Sequence, residues 1–396
     1  MIPNGLPLVL TAEFDSGVTF TAANLGNAPA ACRTANVIYV KPVASGNASG
    51  TSWTNATNNL QNALNTACGN FTEVWVAAGT YKPSQDPSGN ATPTDPRNKT
   101  FYLKNGVKVY GGFAGTEGSL SQRVLGTNET ILSGDLNGND VGFTNNGENT
   151  YHVVLSVSDD ATTVLDRFTI VGGNANGTAS LTVETKPIAQ NSGGGVPIIA
   201  SSASINAVVF KNNNAVVGGG LFTTAAATSP NVTNSVFSNN TALYGGAVFN
   251  GAAATSNFAN CIFSNNTASV LGAGFYNQNT TTVITNCTFG SNNIYNETST
   301  MTLTNAIMWG SGSGIRTSGV NTVTYSIVQG GFTGTGNSAS DPLFVNAANP
   351  IGADGVWMTA DDGLQLACGS AAYNTGTASG APATDILGIR DRKSVV

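Results

Sequence analysis

Charged side chains are scarce in this sequence. Asp, Glu, Lys and Arg make up 9 % of its 396 residues, and there is a single histidine. From Pro187 to Asn296 the only charged side chain is that of Lys211. Glycoside hydrolysis generally needs two carboxylates beside the scissile bond, and a calcium-assisted lyase needs several carboxylates and a basic residue. This central stretch therefore excludes both reactions from its own surface.

Other absences exclude other classes of protein. The formal net charge is -6 and the pI is near 4.7, so we expect no basic surface for nucleic acid or an anionic membrane. No apolar run approaches the roughly 18 residues that a membrane-spanning helix needs. The sequence contains no C-x-x-C motif, no nucleophilic-serine motif and no phosphate-binding loop. These absences favour a structural or binding protein over an enzyme.

What the sequence does contain is a repeat of about 26 residues within residues 192–293. Its clearest members are Phe210, Phe237, Phe263 and Phe289, at spacings of 27, 26 and 26 residues. The first three open the motif F-x-N-N, and the fourth has one inserted residue. A glycine-rich motif recurs between them as GGGLF, GGAVF and GAGFY. Each period therefore contains two strand-like motifs.

A repeat of this length predicts a stacked solenoid, because one unit alone cannot bury its apolar surface. The units are rich in Gly, Asn, Thr and β-branched residues, which favours strands over helices. If each period is one rung of a parallel β-helix, equivalent residues lie about 4.8 Å apart, so Phe stacks on Phe and Asn on Asn. The sequence thus predicts an all-β, single-stranded parallel β-helix of about ten rungs. A β-sandwich is the alternative, but it gives no reason for F-x-N-N to repeat in register.

The flanking segments predict a cap at the N-terminal end. Leu60, Ala63, Leu64 and Ala67 lie at helical spacing between two strand-like segments, so we expect a short helix that covers the first rung. The first residues lack the basic and apolar regions of a signal peptide. We predict the following domain boundaries: an irregular leader at 1–36, the cap at 37–81, rungs at 82–345, a C-terminal rung or cap with an acidic loop at 346–387, and an aberrant tail at 388–396.

The five cysteines do not form an obvious disulfide framework. Cys261 and Cys287 occupy equivalent places in successive repeats, where in-register side chains point the same way, which is poor geometry for a disulfide. We expect both to be small buried side chains. Cys32, Cys68 and Cys368 lie outside the repeats, and Cys32 with Cys68 is the first pair to test.

The order of several short motifs resembles that of secreted bacterial proteins with parallel β-helix repeats. The motifs are IYVKP, SGTSW, LQNAL, VWVAAGTYKP, FYLKNGVKVYGGFAGTEGSL, TILSGDLNGND, ENTYHVV, DRFTIVGGNANG, YSIVQGG, ADGVWMTADDGLQL and GSAAYNTG, and they cover roughly residues 37–387. Such proteins are often large Bacteroidetes cell-surface proteins that end in a sorting or anchor domain. The resemblance implies a pectin-lyase-like right-handed fold, a secreted or surface location and a mostly unassigned activity. After ATDILG, however, the expected anchor is replaced by IRDRKSVV.

One acidic loop predicts a calcium site near the start of the rungs. The motif SGDLNGND offers oxygen ligands on Asp135, Asn137, Asn139 and Asp140 and begins like a D-x-N-x-N calcium loop. It departs from that pattern, since Asp140 stands in place of the invariant Gly and Asn146 in place of the bidentate Glu. The alternative is an Asx-rich turn whose side chains bond to their own backbone.

A second acidic loop lies near the C-terminus, where GADGVWMTADDG brings Asp354, Asp361 and Asp362 near one turn. Calcium and an Asx-rich turn are again the two hypotheses.

The remaining titratable residues favour structural roles. His152, the only histidine, alternates with apolar neighbours as in a strand, so we expect it to be structural. Asp166 is predicted to form a local ion pair or turn contact with the adjacent Arg167.

Three hypotheses for function follow from these patterns. The leading one is a non-catalytic secreted or cell-surface β-helix that acts as a stalk or adhesive module, contacts extracellular polysaccharide or surface glycans, and belongs to a larger surface protein. The second is a carbohydrate-active enzyme whose site lies in the end loops. The third is a carbohydrate-binding module that uses exposed aromatic residues on loops, such as Tyr244 and Tyr276.

Overall fold

A computed structural model describes residues 37–67, 73–226, 228–310 and 314–389. The predicted leader, the cysteines Cys32 and Cys68, and residues 390–396 of the predicted tail lie outside the described residues. Nearly all of the secondary structure is β-strand, and apart from one hairpin the paired strands are parallel. The chain forms a right-handed parallel β-helix, as predicted.

Four parallel sheets, named A to D here, form the sides of the β-helix. Sheet A contains ten strands, in agreement with the expected number of rungs: Val37–Val40, Glu73–Ala77, Lys108–Phe113, Val164–Asp166, Ser204–Asn206, Asn231–Thr233, Thr255–Ala259, Thr281–Thr285, Thr300–Thr304 and Val320–Thr324. Sheet B contains nine: Gly79–Tyr81, Thr130–Ser133, Thr169–Val171, Val209–Lys211, Val236–Ser238, Ile262–Ser264, Thr288–Gly290, Ile307–Trp309 and Ile327–Val328.

Sheets C and D complete each rung. The eight strands of sheet C are Phe101–Tyr102, Val154–Val157, Val196–Ile199, Leu221–Thr224, Val248–Gly251, Phe275–Gln278, Asn293–Glu297 and Gly314–Thr317. The four short strands of sheet D are Asn174–Ala175, Asn214–Ala215, Thr241–Tyr244 and Thr267–Leu271. In a full rung the chain passes through sheets A, B, D and C in turn. The last rungs have no strand in sheet D, so residues paired in sheet A are only 19 residues apart at Thr281 and Thr300.

The interior contains the predicted aromatic stack. The ring centroids of Phe210 and Phe237 lie 4.4 Å apart, those of Phe237 and Phe263 5.0 Å, and those of Phe263 and Phe289 4.7 Å. All four side chains are fully buried. The predicted register of the repeat is therefore confirmed.

Buried asparagines form a second ladder beside the phenylalanines. The Nδ2 atom of Asn213 donates to Oδ1 of Asn240 at 3.0 Å, Asn240 to Asn266 at 2.9 Å, and Asn266 to Asn292 at 2.8 Å. Asn240 and Asn266 also donate to backbone carbonyls of the preceding rung. These amides satisfy buried polar groups at an inward-facing turn, where an apolar side chain would leave them unpaired.

The corners of the rungs use residues that tolerate a positive φ. Asn234, Asn260 and Asn286 join sheets A and B with φ of 50°, 53° and 52°, in the left-handed region where asparagine is enriched. Gly245, before a strand of sheet C, has φ of 67°, and a Cβ atom there would lie 2.5 Å from the Val248 carbonyl oxygen. The recurrence of Asn and Gly in the repeat therefore reflects the backbone geometry of the corners.

A helix at Leu60–Thr66 covers the first rungs, as the pattern of apolar residues predicts. The side chain of Asn59 accepts a hydrogen bond from the Asn62 N–H and caps the helix. Leu60, Ala63 and Leu64 are buried in the main core. Three short 3₁₀ helices lie in loops, at Trp53–Asn55, Pro96–Asn98 and Leu120–Gln122. No helix in the described part of the chain is long and apolar enough to cross a membrane.

Two segments cover outer surfaces of the β-helix. An antiparallel hairpin of strands Ser180–Val183 and Lys186–Ala189 packs on the first part of sheet C. Residues 346–387, predicted to form a final rung or cap, contain no strand and pack along the outside of sheet B. Trp357 and Leu364 of this segment share an apolar cluster with Val236 of sheet B. The outer surface of sheet A at its C-terminal end is left open.

The buried cysteines agree with the sequence-based expectation. Cys261 and Cys287 are 1 % and 0 % exposed and lie in the main core as free thiols. Burial is the main cause that raises the pKa of Cys287 well above its usual range. Cys368 is a free thiol on the surface.

Candidate functional site

The open part of sheet A carries a regular array of threonines. On its last four strands the side chains alternate between the core and the outside. The outward residues are exposed or half-buried. Most of them are threonines, and we call this surface the threonine face: Thr255, Thr281, Thr285, Thr300, Thr302, Thr304, Thr322 and Thr324, with Asn257, Ala259, Val283 and Val320 at the remaining outward positions.

The strand register arranges these hydroxyls in rows. Thr285, Thr304 and Thr324 are directly paired along the axis, as are Thr302 and Thr322. Rows therefore repeat about every 4.8 Å along the axis and about every 6.6 Å along each strand. The inward partners, such as Leu303, are fully buried and fix the outward direction of their neighbours. The result is a flat, uncharged surface of hydroxyl and methyl groups.

Sequence reasoning missed the threonine face although a signal was present. Thr300, Thr302 and Thr304 alternate within TMTLT, and the next strand has the related pattern VNTVT. Alternation with period two places all of these side chains on one side of a strand. The shortened rungs move this pattern out of the 26-residue period, so it does not align with the phenylalanine repeat.

A row of aromatic rings lies on the outside of sheet C. The rings of Phe222 and Phe249 are stacked at 5.4 Å, and Tyr276 lies 5.4 Å from Tyr295 and 5.6 Å from Tyr244. Phe249 and Tyr276 are only 9 % and 6 % exposed. Tyr244 and Tyr276 were expected on loops, but both lie in strands, where neighbouring rings cover much of their surface. This row stabilises the sheet and offers little ring surface to a sugar.

The first acidic loop brings together a different set of residues from the predicted one. Carboxylate oxygens of Asp135, Asp140 and Glu148 all lie within 4.8 Å of one another. The predicted ligands Asn137 and Asn139 have exposed side chains and are not part of this group. Glu148 lies beyond the loop pattern used for the prediction. It joins the cluster because the chain turns back toward Asp135.

The neighbouring residue Asn149 connects this cluster to the body of the β-helix. Its Nδ2 atom donates to Oδ2 of Asp140 at 2.6 Å and to the carbonyl oxygen of Gly172 at 2.7 Å. Asn149 is 1 % exposed. Only the folded loop reveals this role, because Gly172 lies 23 residues further along the chain.

The electrostatics of the cluster are unbalanced. Oδ1 of Asp140, Oε1 of Glu148 and Oδ1 of Asn149 are buried atoms without a hydrogen-bond partner. Burial is the main cause that raises the pKa of Asp140, and the nearby charges of Asp135 and Glu148 raise it further. Burial also pushes the pKa of Asp135 upward, but hydrogen bonds from backbone N–H groups of residues 138–140 outweigh it and lower the pKa.

The second acidic loop is held together by local hydrogen bonds. Asp361 accepts bonds from the N–H groups of Ala353 and Asp354 and from the Thr359 hydroxyl. Oδ2 of Asp362 accepts from the Met358 N–H, and burial raises the pKa of Asp362 to about 7. Among the described residues, the structure brings three carboxylates within mutual reach of one ion at Asp135, Asp140 and Glu148 but not at Asp354, Asp361 and Asp362.

His152 and Asp166 have structural partners. His152 is 4 % exposed, its Nδ1 lies 2.9 Å from the Gly193 carbonyl oxygen, and burial lowers its pKa to about 4. The imidazole is therefore neutral near pH 7 and shielded from solvent. Asp166 was predicted to pair with its neighbour Arg167, and this was wrong. Its carboxylate pairs with Arg123, because the loop before sheet B folds over the strand that contains Asp166.

Comparisons with known proteins give one point of reference. No protein-family model and no curated protein matches this sequence. Among solved structures, the fold is similar to that of a pectate lyase, Pel9A, with 14 % sequence identity, 92 % of this chain and 97 % of that chain covered, and a TM-score of 0.38. At this level of similarity the comparison bears on neither activity nor substrate.

Proposed function

We propose that this chain is a non-catalytic, secreted or cell-surface β-helix that acts as a stalk and adhesive module, and that its threonine face contacts an uncharged polysaccharide. The observation that carries the proposal is the open, flat array of hydroxyls on sheet A. Polysaccharides present hydroxyl groups at regular intervals, so a periodic protein surface can form many equivalent contacts with one ligand.

The chemistry of the threonine face suits a neutral ligand. It contains no charged residue, and each hydroxyl can both donate and accept a hydrogen bond. The net value of one such bond is only about 0.5–1.5 kcal/mol, so useful affinity requires several at once. β-Branched threonine has a restricted χ1 angle, and little side-chain entropy is lost on binding. The face therefore favours many weak contacts with an extended glycan over one tight pocket.

The interior supports the role of a stalk. The stacks of Phe210, Phe237, Phe263 and Phe289 and the asparagine ladder run along the axis without interruption. Each rung is hydrogen-bonded to the next along three or more sheets. Such a solenoid resists bending between its ends and holds the threonine face flat.

An enzyme with a site in the loop at residues 135–148 is less well supported. Asp135 accepts hydrogen bonds from three backbone N–H groups of its own loop, and these bonds keep it ionised and occupied. His152, the nearest candidate base in sequence, is buried and neutral. Neither residue is available to transfer a proton to a bound substrate.

A glycan array with the full chain tests the proposal. We expect binding to neutral polysaccharides such as cellulose, chitin, xylan or mannan, and weaker binding to polygalacturonate because the protein is acidic. Binding to no neutral glycan would contradict the proposal. Retention on ice crystals and not on any glycan would assign the threonine face to ordered water, and would contradict it as well.

A further inference from the structure

The acidic loop that follows strand Thr130–Ser133 is a site of a different kind from the threonine face. Three carboxylates, from Asp135, Asp140 and Glu148, have oxygens within 4.8 Å of one another. Two oxygens bound to one calcium ion at about 2.4 Å cannot be more than about 4.8 Å apart. The cluster therefore has the dimensions of a calcium coordination sphere.

The buried oxygen atoms are the independent observation that points to a ligand. Asn149 is 1 % exposed, its amide contacts Asp140, and its Oδ1 has no partner. Oδ1 of Asp140 and Oε1 of Glu148 are also buried and unpartnered. A buried acceptor without a donor costs about 1–3 kcal/mol, and more when it is charged. Three such atoms around one point are best explained by a bound cation.

Protein cations do not balance this charge. The nearest, Lys82, donates to the Leu136 carbonyl oxygen at 3.3 Å. In the described part of the chain, ion pairs within 4.0 Å form at Arg123–Asp166 and Lys211–Glu129, and Lys82 forms none. Its ammonium group lies on the exposed side of the loop and lowers the pKa of Asp135 only as a minor cause.

We propose that Asp135, Asp140, Glu148 and Asn149 bind one Ca²⁺ ion. Oxygen-only ligands exclude a typical zinc site, which uses Cys or His. Calcium accepts six to eight oxygens in flexible geometry, so four protein oxygens and several waters complete its shell. Magnesium demands a nearly ideal octahedron and gives up its waters reluctantly, which an irregular loop does not favour.

The ion would fasten the loop to the β-helix. Asp135 and Asp140 belong to the outgoing half of the loop, and Glu148 and Asn149 to its return. Asn149 is already bonded to the Gly172 carbonyl oxygen. Calcium bound between the two halves would close the loop at its base. This inference is independent of polysaccharide binding, and either can fail without the other.

Limited proteolysis measures loop closure locally. Phe143, at the tip of the loop, is 40 % exposed and offers a cleavage site to chymotrypsin. With CaCl₂ we expect cleavage after Phe143 to slow by about tenfold relative to chelator, which corresponds to roughly 1.4 kcal/mol of loop stabilisation. MgCl₂ at the same concentration should protect much less. Equal cleavage with calcium and with chelator would overturn the proposal.

Matched variants decide whether this cluster is the site. Glu148→Gln replaces a carboxylate whose Oε1 has no partner, so the loop should fold without calcium and lose calcium protection. Glu129→Gln makes the same chemical change in the partly exposed pair with Lys211, and protection should remain. Lys82→Met removes a competing positive charge and should increase calcium affinity, measured by calorimetry. Full calcium protection in Glu148→Gln would place the ion elsewhere and refute the assignment.

Discussion

The phenyl rings of Phe237 and Phe263 lie 5.0 Å apart and 12° from parallel, although 26 residues separate them in the chain. Their strands are directly paired, so the two rings occupy the same position in successive rungs. Phe263 also stacks on Phe289 at 4.7 Å. The central ring of this stack therefore connects three rungs of the interior.

Replacing Phe263 with Ala should destabilise the protein by about 3–5 kcal/mol, because the side chain is 0 % exposed and its loss leaves a cavity. Chemical denaturation measures this change. Phe143→Ala, at a position that is 40 % exposed, is the control and should have little effect. A similar small effect at both positions would mean that the stack contributes little to stability.

The fold was predictable from the sequence to the extent that the repeat is regular. Phe210, Phe237, Phe263 and Phe289 recur in register because each contacts its equivalent in the next rung. The course of residues 346–387 was not predictable, because this segment has no repeat. It packs on sheet B through irregularly spaced residues such as Trp357. Only tertiary contacts determine which outer surface such a segment covers.

Stability should depend weakly on ionic strength. The described residues contain two ion pairs, and one of them, Arg123–Asp166, is largely shielded from solvent, with side chains 6 % and 9 % exposed. Salt screens exposed charges far more than buried ones. Thermal unfolding at about 10 mM and about 1 M NaCl should therefore give similar midpoints, after the known effect of salt on apolar burial is allowed for. A large loss of stability at high salt would show that surface charges hold the rungs together.

Two buried groups should give opposite dependences on pH. Burial is the main cause that raises the pKa of Asp159 from 3.8 to about 6, so the folded state binds this proton more tightly and stability falls as the pH rises from about 4 to 6. Burial lowers the pKa of His152 from 6.5 to about 4, so stability is lost as the pH falls from 6.5 toward 4.

Difference curves between each variant and the wild type separate these effects. Asp159→Asn should become more stable relative to the wild type as the pH rises from about 4 to 6. His152→Gln should become more stable relative to the wild type as the pH falls from about 6.5 to 4. Denaturation at several pH values measures both curves. Flat difference curves would mean that neither pKa is shifted by folding.

The protein should not cleave polyuronides. Incubation with polygalacturonate and calcium should release neither unsaturated ends, detected by ultraviolet absorbance, nor reducing sugar. The regular rungs lack the required carboxylates and bases, and Asp135 and His152 are held by structural contacts. Robust turnover that disappears in Asp135→Asn or His152→Gln would establish an enzyme in the end loops.

The candidate sites were only partly predictable. The sequence indicated Asp135 and Asp140 because they belong to one short motif. Glu148 and Asn149 were missed because they reach the cluster through the closure of a loop, which no local spacing encodes. The threonine face depends on the pairing of strands such as Thr281–Thr285 and Thr300–Thr304, where rungs shorten and the period changes.

The most direct test of the adhesive function is to place a charge at the centre of the threonine face. Thr302→Lys adds a long charged side chain between Val283 and Thr322, its paired neighbours. Thr267→Lys makes the same change at an exposed threonine in sheet D. Binding isotherms on microcrystalline cellulose should show that Thr302→Lys weakens binding by about tenfold or more, roughly 1.4 kcal/mol, while Thr267→Lys binds like the wild type. Equal binding by all three proteins would contradict a role of the threonine face in adhesion.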